Sequence, residues 1–256
     1  MKKRLKSLKR STLVTVVLFV VAVALLVGSA VGGTYAALTY YSENFHADFN
    51  MFDIGVTLLE NNEPVAWRNY TGADDSWSEQ TGELLKNMLA EGEELELGKH
   101  YPVSLAAQNS GSIDEYVRVR LFKYWEDKDG NRLTNLDPNN IELELPENGW
   151  MENPAESTTE RTVLYYTSPL ASGATSSEFL HAVTISKAVC NQVTERTYTD
   201  EEGYRVVETI YHYDNASFVL KAQVDAVQTH NAQDAFMSAW GVLAEFDANG
   251  NITALQ

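Results

Sequence analysis

Apolar and polar residues alternate with a period of two through most of the chain after residue 52, which is the pattern typical of β-strands. Nine segments follow this pattern: 53–59, 100–108, 115–125, 141–145, 161–167, 179–189, 193–199, 204–213 and 218–227. Glycine and asparagine accept positive φ at little cost, so tight hairpin turns are predicted at Asp129-Gly130-Asn131, Glu202-Gly203 and Asn249-Gly250-Asn251. We expect an all-β fold, a jelly-roll-like β-sandwich with one or two short helices inserted.

Two segments break the alternation and predict the helices. Residues 77–89 carry apolar side chains at helical spacing without a β-branched run. Residues 231–240 begin with Asn231 as a helix N-cap, place Asp234 in the first turn and stop at Gly241, a typical C-terminal cap. The apolar face of this second helix is expected to pack on the edge or end of the sandwich.

The N-terminus has the order of a secretory signal peptide. Six of the first ten residues are basic, an almost uncharged apolar run covers residues 13–31, and Thr34 and Ala36 supply the small residues that a signal peptidase requires. We predict cleavage after Ala36 or Ala37, although a run of this length also suits a retained membrane anchor. The predicted division is a signal peptide at 1–36, a short segment at 37–49 and one sandwich domain at 50–256.

The chain is strongly acidic. Its 256 residues include 19 basic and 36 acidic side chains, a net charge of −17. Removal of residues 1–36 takes away six basic residues and no acidic one, which leaves a net charge of −23. Such a surface repels nucleic acid and anionic lipid. We therefore expect no nucleic-acid partner and no membrane contact except through the signal peptide before cleavage.

Cys190 is the single cysteine, so no intramolecular disulfide can form and the fold must be held by its core. The residue lies in the alternating stretch 182–193. A small buried hydrophobic side chain is the interpretation we favour over a nucleophile.

Motifs for catalysis are not found in the sequence. It contains no Gly-x-Ser-x-Gly elbow, Walker A loop, dinucleotide fingerprint or His-Glu-x-x-His helix, and its histidines are scattered at positions 46, 100, 181, 212 and 230. The acidic turn at 126–131 has oxygen ligands that suit Ca²⁺ but lacks the spacing of an EF-hand, so an ordinary turn is favoured. We expect no enzyme activity, no metal and no cofactor.

Two blocks of the sequence resemble the TasA/camelysin family of exported proteins from Gram-positive bacteria. The first block is Gly32-Gly33-Thr34-Tyr35-Ala36-Ala37 with Phe49 and Asp53-Ile54-Gly55-Val56, and the second is Leu97-Gly98-Lys99, Leu105, Asn109-Ser110-Gly111-Ser112-Ile113 and Tyr116-Val117-Arg118-Val119-Arg120. The family usually has proline where this chain has Leu97. The resemblance implies a jelly-roll domain that polymerises into extracellular matrix fibres or accompanies them.

In fibre-forming members of that family, the segment after the cleavage site inserts as a donor strand into a neighbouring subunit. Its counterpart here is 37–49, with Leu38, Tyr40, Tyr41, Phe45 and Phe49 as the assembly residues. The alternative is that this segment forms the first strand of its own domain or an ordered tail. The implied partners are a second copy or a related fibre subunit, and a signal peptidase during export. The implied location is the extracellular matrix or cell surface of a Gram-positive bacterium, reached by secretion.

Two other functions stay open at this point. Camelysin-type relatives carry the label of metallopeptidase, although no two histidines and a carboxylate lie close along this chain. A surface adhesin or carbohydrate-binding sandwich would use exposed aromatic residues such as Trp67, Trp125 or Trp150, of which Trp67 and Trp150 are predicted to lie in polar loops. The C-terminus shows no sorting motif, so non-covalent retention or release is expected.

Overall fold

The computed structural model describes residues 14–25, 52–71, 74–90 and 92–256. The chain divides into two units, residues 1–50 and 51–256. In the first unit, residues 14–25 are helical (α1) and carry exposed apolar side chains such as Phe19. Within the described residues, no helix has both the length and the hydropathy needed to cross a membrane. The predicted cleavage residues Ala36 and Ala37 and the predicted assembly segment 37–49 lie outside the described residues.

The second unit is a β-sandwich. Its strands are β1 (Ile54–Glu60), β2 (Glu63–Thr71), β3 (Ser76–Gln80), β4 (His100–Asn109), β5 (Glu115–Glu126), β6 (Ile141–Glu144), β7 (Trp150–Glu152), β8 (Arg161–Tyr166), β9 (Leu180–Ile185), β10 (Val193–Thr199), β11 (Arg205–Tyr211), β12 (Ser217–Gln228), β13 (Ala244–Phe246) and β14 (Ile252–Leu255). The larger sheet has the order β3-β2-β1-β4-β9-β6 and the smaller sheet β12-β5-β8-β7. All their pairings are antiparallel. The pairs β10-β11 and β13-β14 form two separate ribbons.

The main core lies between the two sheets. Alternation along β5 sends Val117, Val119 and Leu121 into this core, where they meet the inward residues of β1 and β4. A fully buried Val or Leu contributes about 1.5–3 kcal/mol to stability, so this cluster is the main stabilising element of the sandwich.

A smaller core lies on the outer face of the smaller sheet. There Tyr116 and Tyr165 pack against Phe236 of α2 (Ala232–Trp240). The ring centroid of Phe236 lies 5.3 Å from that of Tyr116 and 5.9 Å from that of Tyr165. Residues of the β13-β14 ribbon complete the cluster. The helix therefore packs through its apolar face, as predicted, but on the outer face of a sheet and not on the edge or end of the sandwich.

All nine predicted strands are present, with ends shifted by a few residues, and β10 coincides with its predicted bounds. The sequence pattern did not predict five further strands: β2, β3, β7, β13 and β14. β7 and β13 have three residues each and β14 has four, which is too short for a period of two to stand out. The fold class is confirmed as an all-β sandwich with short helices.

The predicted helix at 77–89 is wrong. Trp77 instead lies in β3, which pairs with β2, and its ring centroid is 5.2 Å from that of Tyr70. Residues 81–90 follow as irregular turns, and Leu84, Leu85 and Met88 pack against the main core without helical geometry. Tertiary packing of these apolar side chains replaces the helix that their spacing predicts.

The helix predicted at 231–240 is confirmed as α2, with Asn231 as its N-cap residue. Asn231 has a left-handed φ of 51° and its side chain makes no capping hydrogen bond, whereas its backbone carbonyl accepts the helical bond from Ala235 N at 3.0 Å. Gly241 caps the C-terminus with a φ of 69°, as predicted.

The predicted burial of Cys190 is wrong. Strand β9 ends at Ile185, and the chain then forms a 3₁₀ turn at Lys187–Asn191. In this turn Val189 points into the core and Cys190 is exposed. The three-residue period of a 3₁₀ turn exchanges the positions that a strand would bury.

Two of the three predicted turns close hairpins. Gly203 (φ 89°) lies between β10 and β11, and Gly250 (φ 82°) lies between β13 and β14. The third, around Gly130, is a tight turn in which Asp127 accepts hydrogen bonds from two backbone amides. It does not join neighbouring strands, because the next strand, β6, belongs to the other sheet.

The turn between β4 and β5 is organised by Asn109, which is fully buried. Its Nδ2 donates to the carbonyls of Ile113 and Leu170, both at 2.8 Å, and its Oδ1 accepts from Gly111 N at 2.8 Å. Gly111 has no space for a side chain, because a Cβ there would lie 2.6 Å from Asp53 O. Residues 109–113, which are part of the second block of the family resemblance, thus form a structural turn that holds the beginning of β1.

Replacement of Asn109 by alanine is expected to lower the free energy of unfolding by about 2–4 kcal/mol, because it leaves buried backbone groups without partners. Urea unfolding followed by circular dichroism measures the change. Gln108→Ala, at the neighbouring and less buried position, is the control and should cost less than about 1 kcal/mol. Equal effects of the two substitutions would contradict this role of Asn109.

Candidate strand-acceptor groove

The four terminal strands of the two main sheets differ in length. β12 has twelve residues, whereas β3 has five, β6 four and β7 three. Within the described residues, β12 pairs with β5 alone, and no other backbone hydrogen bond to it is present. An edge strand of this length presents a row of peptide groups that another strand can pair with.

Part of this edge lines a groove of about 710 Å³. One wall is the stretch 218–223 of β12, and the opposite wall is the irregular segment 81–89. The lining combines apolar and polar residues. Its apolar members are Leu84, Leu85, Met88, Leu89, Phe218, Val219, Leu220 and Ala222, and its polar members are Thr81, Glu83, Lys86, Glu126, Lys221 and Gln223. A long unpaired edge beside a groove lined in part by apolar residues is a geometry that β-strand addition uses.

Segment 81–89, the wall of the groove opposite β12, is held in place by Glu60 at the end of β1. Both carboxylate oxygens of Glu60 accept from Leu85 N, at 3.0 and 3.2 Å. Burial raises the pKa of Glu60 above its ordinary value, and the hydrogen bond from Leu85 offsets part of this rise. Leu85 itself has a left-handed φ of 63°, which a leucine adopts only when its surroundings impose it.

The N-terminal end of the sandwich is anchored beside a buried carboxyl group. Glu115 is fully buried at the start of β5, and its Oε2 accepts from Gly55 N at 3.2 Å. Its Oε1 has no hydrogen-bond partner among the described residues. Burial raises the pKa of Glu115 to about 8, an effect that the Gly55 hydrogen bond opposes only in part. This group holds the beginning of β1 against the start of β5.

The predicted assembly residues are Leu38, Tyr40, Tyr41, Phe45 and Phe49, and all five lie outside the described residues. The groove, by contrast, is formed by segments that the sequence pattern marked only as a helix and a strand, with no functional role. An open edge is a property of sheet topology, so no local pattern in the sequence marks it.

The aromatic residues proposed for carbohydrate contact take other roles. Trp67 and Trp150 lie in strands β2 and β7, so their predicted placement in loops is wrong. Trp150 is buried and its Nε1 donates to Ser177 O at 2.9 Å. Trp125 is also buried, and its Nε1 donates to Asp137 O at 3.0 Å. Neither Trp125 nor Trp150 offers a face to a ligand.

The described residues contain no group of three or more His, Cys, Asp or Glu side chains placed to hold a metal ion. His100 lies 3.3 Å from Glu144, and His181 lies 2.9 Å from Glu178, as simple pairs. In the acidic turn, both oxygens of Asp127 accept from Asn131.

Comparisons with protein-family models, with curated proteins and with solved structures find no match to this chain. The resemblance to the TasA/camelysin family therefore stays a prediction from the two sequence blocks.

The raised pKa of Glu115 predicts a specific dependence of stability on pH. The unfolded chain releases this proton near pH 4.5, whereas the folded chain keeps it up to about pH 8, so stability is lost as the pH rises through that interval. Glu115→Gln keeps an acceptor for Gly55 N and cannot ionise. The free energy of unfolding of this variant should exceed that of the native chain by an amount that grows with pH, up to about 5 kcal/mol.

Urea unfolding at about pH 5 and about pH 8 measures this difference. Asp114→Asn removes an exposed carboxylate from the adjacent position and controls for net charge. A difference between Glu115→Gln and the native chain that does not change with pH would contradict the assignment.

Proposed function

We propose that the protein is an exported structural subunit that polymerises by strand exchange, with segment 37–49 of one copy adding to the open edge of β12 in the next. The single observation that carries this proposal is the long unpaired edge of β12 beside the groove. The subunit would form or accompany extracellular fibres. No catalytic step is part of the proposal.

The amino-acid pattern of the donor segment supports it. In an extended strand, residues 41, 43, 45, 47 and 49 share one face. Four of these five positions are Tyr41, Phe45, Ala47 and Phe49, and the fifth is Glu43. The opposite face has Ser42, Asn44, His46 and Asp48, preceded by Leu38 and Tyr40. The first face would meet the apolar residues of the groove lining, and the polar residues of the opposite face would stay in contact with water.

The length of the segment also agrees. Thirteen extended residues reach at most about 45 Å, and the six edge residues 218–223 span only about 20 Å. The segment therefore has enough length both to fill the groove and to connect back to its own domain.

A head-to-tail contact of this kind leaves one donor segment and one open edge at the two ends of every oligomer. It therefore propagates instead of closing, which is what a filament requires. Cleavage of the predicted signal peptide would determine when assembly begins, because residue 37 gains a free N-terminus only when export is complete.

Deletion of residues 37–49 from the processed protein is expected to abolish polymers, since the open edge then has no donor. A finer test uses Phe45→Asp, which places a charge on the apolar face of the donor, and it should reduce polymer mass roughly tenfold or more. Sedimentation and electron microscopy of processed protein, after its N-terminus has been determined by mass spectrometry, measure the outcome.

Asn44→Asp is the matched control, because it adds the same charge at the neighbouring position on the opposite face. This variant should polymerise like the native protein. Processed native protein that stays monomeric over a range of pH and salt would overturn the proposal. Equal polymerisation by the two aspartate variants would overturn the strand-exchange mechanism.

A further inference from the structure

A second pocket, of about 480 Å³, lies outside the groove. It is formed where β2 and β3 of the larger sheet meet the outer face of the smaller sheet and the C-terminal end of α2. Its lining includes three arginines and two tryptophans: Arg68, Arg118, Arg120, Trp77 and Trp240. A concentration of positive charge is unusual in a chain with 36 acidic and 19 basic residues.

One buried carboxylate holds the three guanidinium groups together. Asp225 is 4% exposed and accepts from Arg120 Nη2 at 2.7 Å, from Arg118 Nη2 at 3.1 Å and from Arg68 Nη1. Burial alone would raise the pKa of Asp225, but the three arginines outweigh it and hold the pKa below the ordinary value. Since one negative charge faces three positive ones, the lining of the pocket keeps an excess of positive charge.

The nearest other carboxylates reduce this excess without removing it. Glu156 accepts from Arg118 Nη1 at 3.4 Å, and also from Tyr165 Oη and Asn153 Nδ2, at 2.5 and 2.9 Å. Glu79 lies 3.7 Å from Arg68 Nε, too far for a hydrogen bond, and its side chain is 68% exposed, so water and salt screen it. Three arginines therefore face two hydrogen-bonded carboxylates, Asp225 and Glu156, and one positive charge is compensated only weakly.

The arginines also have unused donors. Among the described residues, the Nε atoms of Arg68, Arg118 and Arg120 are buried and have no hydrogen-bond acceptor. The Arg118 side chain is only 9% exposed. A buried donor without a partner costs about 1–3 kcal/mol, so an acceptor that a small movement of these side chains brought within reach would be stabilising.

Two tryptophan rings lie beside the arginines of the pocket. The guanidinium carbon of Arg68 lies 4.7 Å from the centroid of Trp77, and that of Arg118 lies 4.9 Å from the centroid of Trp240. Trp77 is 51% exposed, so a large part of its ring remains open to a ligand. Flat apolar walls beside arginine donors suit a ring that carries a carboxylate.

We propose that this pocket binds a hexuronate unit of an acidic polysaccharide, with the carboxylate on the arginine cluster and the sugar ring on Trp77. The volume is in the range of small-ligand sites. Arginine is the side chain that best matches a planar carboxylate, because its fork donates two parallel hydrogen bonds. This inference goes beyond the proposed fibre assembly, since the pocket and the groove share no residues.

Trigalacturonate is the probe, titrated into the full chain while tryptophan fluorescence is recorded. Saturable binding is expected, with weakening at higher salt. The methyl-esterified trisaccharide has the same rings without the charge and should bind at least about tenfold more weakly. Acetate, a carboxylate without a ring, should give no saturable change in the same concentration range.

Trp77→Ala should weaken trigalacturonate binding roughly tenfold while leaving thermal unfolding nearly unchanged, because this ring is half exposed. Tyr204→Ala, at a 66% exposed aromatic residue in the β10-β11 turn, is the matched control and should bind normally. Arg120→Gln should also weaken binding, with its fold checked by circular dichroism. Absence of saturable binding, equal binding of the esterified sugar, or native affinity of Trp77→Ala would each overturn the proposal.

Discussion

The unpaired edge of β12 is the constraint on which this account depends. Peptide groups at the edge of a sheet must find water or another strand, and sheet proteins normally keep such edges short. Three of the four terminal strands here obey that rule with three to five residues, whereas β12 extends to twelve. Segment 81–89 lies across a groove from this edge, and we propose that the groove accepts one strand. Polymer formation by strand exchange is the consequence that we propose from this geometry, whereas export is predicted from the N-terminal sequence.

The other end of the exchange depends on how β1 is anchored. The beginning of β1 is bonded to the turn at Asn109–Gly111, and Glu115 accepts from Gly55 N beneath it. Because the pKa of the buried Glu115 carboxyl is raised, this group lowers the free energy of unfolding at neutral pH. In the proposed fibre, a pull on segment 37–49 would therefore reach the sandwich core through residue 53. A filament subunit needs this connection between its donor and its own domain.

Much of the fold could be predicted from the sequence, because period-two alternation is a local property. β5 and β12 each carry a long alternating pattern, and both were predicted almost to the residue. Segment 77–89 could not be predicted, since its helical spacing of leucines is overridden by the pairing of Trp77 with Tyr70. Cys190 was misplaced because a 3₁₀ turn follows β9. The groove and the arginine pocket depend on which strands end a sheet and which side chains meet across sheets, and single-sequence patterns contain neither.

Cross-linking from the donor segment tests the central claim most directly. A photo-reactive phenylalanine analogue at position 45 is introduced into processed protein, and isotope-labelled and unlabelled copies are mixed before assembly. Mass spectrometry then identifies the partner residues. We predict cross-links between copies of different label, from position 45 to residues 218–223 of β12 or to 81–89. Cross-links confined to copies of the same label, or directed elsewhere on the surface, would contradict strand exchange at this groove.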